Sequence, residues 1–133
     1  MSTHDLPTVA GIWSGTDLAD QLEHGVRATE ARQDEMRSLL LEAGVKPADD
    51  DETAVQTAYA ALAESECRLL AASLDDALAV RARPNVPGST DRENWCLALP
   101  VPLDVLQSQP LARQIAGTLE RAVTAEDGPQ PSE

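Results

Sequence analysis

His4 and Asp5 stand side by side near the start of the chain, in the stretch Thr3-His4-Asp5-Leu6-Pro7-Thr8-Val9-Ala10-Gly11. A fixed carboxylate can stabilise positive charge that develops in a transition state. An imidazole N–H suits a hydroxyl or ring oxygen. The bland alternative is that the pair ends a strand and caps a turn. A metal centre is not expected: the second histidine is His24, and no further ligand cluster accompanies either one. His24 precedes Gly25, a position that suits a surface residue at the C-terminal end of a helix dipole. The acidic run Asp49-Asp50-Asp51-Glu52 reads as a solvated helix start, since nothing fixes it as a coordination shell. Cys67 and Cys96 show no CxxC spacing and lie in apolar contexts, so buried structural thiols are expected. Chain ends fray, so a loaded polar pair at residues 4 and 5 implies that the structure supporting it lies upstream.

The elements that must position these groups are mostly helices. Ser14-Gly15-Thr16-Asp17 offers capping side chains and Gly25 a stop, which predicts a short helix over 16–24. Thr29 introduces a longer helix with Met36, Leu39, Leu40 and Ala43 on one face, ended by Gly44 and Pro47. A third helix starts at the acidic run, carries Val55, Ala58, Tyr59 and Leu62 on one face, and fades near Glu66. Leu69-Leu70-Ala71-Ala72-Ser73-Leu74 is apolar on successive positions and bounded by polar residues. It fits a strand buried on both faces or a helix, and the strand is the expectation. The region 9–13 is the one other candidate strand. A lone buried strand among helices suits one spoke of a larger barrel. Two prolines and a glycine rule out regular structure in Arg83-Pro84-Asn85-Val86-Pro87-Gly88-Ser89-Thr90, and Asn94-Trp95 closes this loop. The chain then enters a closing helix whose main part opens at Pro110, with Leu111, Ile115 and Leu119 four apart. From 125 to 133 the tail is polar, proline-rich and expected to be disordered.

Bulk properties exclude several partners. The chain has 133 residues, room for one domain over 1–124 and the tail 125–133. Its formal net charge is −13, which argues against nucleic acid and against an anionic membrane surface. No apolar run reaches the length of a membrane span, no signal segment opens the chain, and the cysteine usage suits a reducing, cytoplasmic location. With no Phe, one Tyr and two Trp, the core is expected to be modest.

Two patches together resemble a known family. The stretch from Thr3 to Gly11 resembles the His-Asp motif near the end of the catalytic barrel of bacterial 4-α-glucanotransferases, the amylomaltases of glycoside hydrolase family 77. Asn85-Val86-Pro87-Gly88-Ser89-Thr90-Asp91, followed by Asn94-Trp95, resembles the loop that the family places after its last barrel strand. Residues 69–74 fall where that strand should be, and 103–123 on the closing helix. The resemblance implies a mainly α piece with one or two short strands, the C-terminal part of a (β/α)8 TIM barrel rather than a complete one. It implies transfer of α-1,4-glucan segments by a retaining double displacement, which uses two carboxyl groups roughly 5 Å apart. In the family the nucleophile and the acid/base lie on earlier strands. By resemblance, Asp5 is the transition-state stabiliser, and His4, Asn85, Pro87 and Gly88 bind substrate, with no cofactor and no metal. The sequence departs from the pattern at Arg92-Glu93-Asn94, where relatives commonly carry one more residue and a proline. It departs again at Cys96, where many carry a basic residue.

Three readings follow. The first is an amylomaltase piece inactive alone, with maltodextrin or another α-1,4-glucan as its ligand once the barrel is completed. The second is the C-terminal half of a split enzyme that pairs with an upstream barrel half. The third is a non-catalytic acidic helical interaction protein. Helices selected to pack outside a barrel predict a loose, largely helical body of marginal stability.

Overall fold

The computed structural model describes residues 5–67 and 69–126. They form six helices: α1 (Val9–Ser14), α2 (Thr16–Glu23), α3 (Glu30–Glu42), α4 (Asp51–Ala63), α5 (Leu103–Leu106) and α6 (Pro110–Glu126). A 3₁₀ turn at Asp76–Leu78 interrupts the irregular stretch between α4 and α5.

The shortest of the central elements organises the rest. Six residues cannot sustain an isolated helix, so α1 depends on its ends. Thr8 Oγ1 accepts from Gly11 N at 3.0 Å, and the carboxylate of Asp76 accepts from Val9 N at 2.9 Å. Gly15, at φ +78, closes the other end. The helix passes so close to the loop beyond the 3₁₀ turn that a Cβ on Gly11 would run into the carbonyl oxygen of Arg81.

Two apolar clusters meet at α1. Ala10 packs with Val55 and Tyr59 of α4, Ala77 of the 3₁₀ turn, and Leu111 and Ile115 of α6. On the other side Ile12 and Trp13 pack with Leu40, Val45 and Ala54. Trp13 Nε1 donates to Asp49 O at 2.8 Å, and Arg37 lies over its ring at 4.6 Å. The buried Asp76 is satisfied on both oxygens, since Tyr59 OH donates to Oδ2 at 2.9 Å while Oδ1 caps α1. Burial, and then the charge and hydrogen bond of Asp76, push the Tyr59 phenol up to about 12. Burial first, and Asp76 second, also raise the carboxyl of Asp75.

The helix signals held where they are local. Thr29 and Asp50 cap α3 and α4 through their side chains, and the hydrogen bonds from Thr53 hold the Asp50 carboxyl below its usual range. Gly44, at φ +102, ends α3, and Val45 N donates back to Leu40 O at 3.0 Å. The faces are less complete than their spacing predicts: Leu40, Val55 and Tyr59 are buried, whereas Leu39 and Leu62 are exposed.

Several expectations are corrected. No strand occurs among the described residues, where one or two short strands are expected. Residues 9–13 belong to a helix, because caps at both ends outweigh the β-branched residues. Residues 69–74 are irregular, with Leu69 82% exposed. A doubly buried strand needs neighbouring strands to take its N–H and C=O groups, and the described residues supply none. Both cysteines are exposed, since each lies in irregular chain outside the two clusters. Helix α4 ends at Ala63 rather than near Glu66. The closing helix is two helices, because the turn before Pro110 separates α5 from α6. Helix α6 runs through Glu126, past the expected boundary of the tail. The rest of that tail, 127–133, lies outside the described residues. Among the described residues no helix is long and apolar enough to cross a membrane.

Candidate functional site

The loop that follows the 3₁₀ turn returns to the start of the chain and is held there by one buried arginine. Arg83 is 6% exposed. Its Nε and Nη2 donate to the two carboxylate oxygens of Asp17 on α2 at 2.6 and 2.7 Å, and its Nη1 donates to the backbone oxygen of Asp5 at 2.8 Å. Asp17 is also buried, at 4%, and Gln21 Nε2 donates to it at 2.8 Å. A guanidinium fork on a carboxylate has fixed geometry, so α2, the loop and residue 5 are locked in register.

That register brings the two expected patches together. Asn85 Nδ2 donates to Asp5 Oδ1 at 2.6 Å across 80 residues of sequence. Asp5 itself is exposed, and Asn85 is half-buried. Pro87 and Asp5 both line a hollow of about 250 Å³ between the loop, α2 and the start of α3, where Arg27, Gln33 and Met36 form the opposite wall. Gly88 sits at φ +87 on the exposed turn of the loop, with no atom near enough to meet an added Cβ. Thus Asp5, Asn85 and Pro87 share one corner, and Gly88 shapes the turn beside it. His4 lies outside the described residues. His24 ends α2 with its Nδ1 2.8 Å from Asp20 O.

The loop is braced from within. Asn94 Oδ1 accepts from Val86 N at 3.0 Å and from Arg92 Nη1 at 2.9 Å, and Asn94 Nδ2 donates to Ser89 Oγ at 2.9 Å. Arg92 Nη2 donates to Arg83 O at 2.8 Å, and its Nε pairs with the carboxylate of Asp20, 3.3 Å from Oδ1 and 3.0 Å from Oδ2. The nearer oxygen, Oδ2, lies off the N–H direction, so the hydrogen bond runs to Oδ1. Trp95 N donates to Pro84 O at 2.9 Å, and Trp95 adopts φ +66.

Sequence reasoning missed the supports. Asp17 reads as a capping residue and Arg83 as one letter of a proline-rich loop, whereas together they form the buried pair on which the corner rests. An arginine immediately before a proline, in an acidic chain, was the available signal. Arg92, where the sequence departs from the pattern, joins Asp20 to Asn94 through its side chain.

Chemically, the corner offers one carboxylate, an amide and a wall of mixed polarity. It can hold hydroxyl groups and favour a developing positive charge. Among the described residues no group of three or more His, Cys, Asp and Glu side chains is placed to hold a metal ion.

Comparison with known proteins gives one consistent result. The profile of the 4-alpha-glucanotransferase family matches residues 1–103. A 4-alpha-glucanotransferase of Mycobacterium bovis is 34% identical over 139 aligned positions, covering 93% of this chain and 18% of its own length. The 4-alpha-glucanotransferases of two Mycobacterium tuberculosis strains match with the same identity and coverage. The chain therefore spans under a fifth of the length of these relatives, 18%. No solved structure matches.

Proposed function

The chain belongs to the 4-alpha-glucanotransferase family, and we propose that it carries the transition-state corner of such an enzyme, binding an α-1,4-glucan without turning it over alone. Asp5 takes hydroxyls of the distorted sugar and lies beside the positive charge of the oxocarbenium-like state. Asn85 orients its carboxylate, and His4, Pro87 and Gly88 complete the contacts. Interactions that tighten only as the ring flattens lower the barrier rather than merely binding substrate.

The observation that supports this reading is the hydrogen bond between Asp5 and Asn85, which joins the two family patches at 2.6 Å. Asp5 can act only on charge that a nucleophile and an acid/base create, and in the family these lie on earlier strands. Incubation of the purified chain with maltotriose is therefore expected to yield neither glucose nor longer maltodextrins. A nuclear magnetic resonance titration with the same sugar is expected to shift Asp5 and Asn85. Sustained turnover, or shifts confined to other regions, would contradict the proposal.

A second reading, in which the chain completes a two-chain enzyme, is favoured by residues 69–74. Leu69 is 82% and Leu74 47% exposed, on irregular backbone. Such a segment can pair with the edge of an open sheet. Co-expression with a chain that carries the family's preceding strands is expected to give an active complex; two chains that elute apart would rule it out.

A further inference from the structure

We propose that Arg92 is a positioning residue of the corner: paired with Asp20, it sets the amide of Asn85 against the carboxylate of Asp5. This inference rests on the sugar-binding reading of that corner.

Asn85 lies on irregular backbone and is half-buried, so the hydrogen bonds of a helix or a sheet do not hold it in place. Its side chain nonetheless meets Asp5 Oδ1 at 2.6 Å, and its two flanks show how. On one side, the carbonyl oxygen of Arg83 accepts from Arg92 Nη2 at 2.8 Å. On the other, Val86 is 1% exposed and its N–H donates to Asn94 Oδ1 at 3.0 Å. That same oxygen accepts from Arg92 Nη1 at 2.9 Å. One guanidinium thus holds the backbone before Asn85 directly and the backbone after it through one amide.

The third nitrogen fixes this clamp to a helix. Arg92 Nε donates to Asp20 Oδ1 at 3.3 Å and lies 3.0 Å from Oδ2, with the two side chains only 8% and 20% exposed. Asp20 follows Asp17 by three residues on α2, a spacing that places both on one helix face. From Asp17 the fork of Arg83 runs on to the backbone oxygen of Asp5. Two carboxylates one turn apart therefore each take one arginine of the loop. The first pair places the backbone of Asp5, and the second places both flanks of Asn85. Each partner in the Asp5–Asn85 bond is thereby referred to the same helix.

The guanidinium suits this task because its N–H groups form a rigid planar fork, so one side chain makes three contacts in fixed directions. A lysine ammonium on a flexible stem does not reproduce them. The clamp also lies in Arg92-Glu93-Asn94, where the sequence departs from the family pattern. An amide held in place before the sugar arrives has little freedom left to lose on binding, so Arg92 acts on affinity through Asn85.

The test follows the full chain and maltotriose by nuclear magnetic resonance. The side-chain amide signal of Asn85 in Asp5→Ala marks its unbonded position. Arg92→Lys keeps the charge beside Asp20 and loses the fork. It is expected to move the Asn85 signal toward that position and to leave the signals of Ala10, Val55 and Ile115 in the core unchanged. Maltotriose binding is expected to weaken about tenfold. Asp20→Asn, which alters α2 and leaves the loop sequence intact, is expected to move the Asn85 signal in the same direction. In an Asn85→Ala background, Arg92→Lys is expected to weaken binding no further, because the two residues act as one unit. An Asn85 signal that stays at the parent position in both variants overturns the inference and leaves the corner standing. Equal losses of binding with and without Asn85 also overturn it, because Arg92 would then support the fold as a whole. If the parent chain binds no maltotriose, the reading of the corner falls, and the inference falls with it.

Discussion

Arg83 joins the loop to both α2 and residue 5. It is buried, forks onto Asp17 and holds the backbone of residue 5. Removing one member of a buried ion pair leaves an uncompensated charge, so Arg83→Ala is expected to cost about 3–5 kcal/mol in urea unfolding. Arg83→Lys keeps the charge but loses the fork, so it too is expected to destabilise the chain and to release Asp5 from Asn85. Tyr59 gives a second test at this scale, because it is the single tyrosine. Its phenol is pushed from an ordinary 10.0 to about 12 by burial and by Asp76. The folded state therefore keeps the proton that the unfolded chain releases. The resulting stability is complete below pH 10 and is lost as the pH rises through 12. Ultraviolet titration of the phenolate is expected to show a midpoint near 12 in buffer and near 10 in denaturant. Tyr59→Phe, which strands an oxygen of Asp76, is expected to cost about 1–3 kcal/mol and to abolish that pH dependence. Asp5 and Asn85 are singled out by the resemblance alone. Arg83 and Asp17 are not, because nothing local in a sequence marks an ion pair closed across 66 residues.

Helix α1 shows what an element can hide. Its sequence, Val-Ala-Gly-Ile-Trp-Ser, suits a strand about as well as a helix, and it is decided by Thr8, Asp76 and Gly15 at its ends. Gly11 is needed because the carbonyl of Arg81 occupies the space a Cβ would take. Gly11→Ala is expected to cost about 1–3 kcal/mol through displacement of that loop, read as a fall in melting temperature, and to loosen Arg83 two residues further on. The caps of α3 and α4 were legible because Thr29 and Asp50 act within three residues of themselves. Residues 69–74 were not, because a strand exists only with its neighbours. Leu69→Ser is accordingly expected to leave the stability of the isolated chain within about 0.5 kcal/mol, as exposed positions do. In a buried strand the same change would be severe. Should the chain complete a second half, this substitution is expected to weaken the complex and leave the fold intact, which size-exclusion chromatography would detect.

At the scale of the molecule, a helical body packs around α1 and presents its loop at one edge, with exposed leucines elsewhere on its surface. The chain belongs to the 4-alpha-glucanotransferase family and spans 18% of the length of the relatives it matches. On this view the corner is a part that works on a neighbouring reaction, with Asp5 contributing charge and Asn85 orientation. The decisive experiment is a nuclear magnetic resonance titration of the isotopically labelled chain with maltotriose, with the sample then analysed for sugar products. Shifts at Asp5, Asn85 and the surrounding loop, with the maltotriose recovered intact, are the expected result. Shifts that bypass this corner, or maltotriose converted to glucose and longer chains, would contradict it.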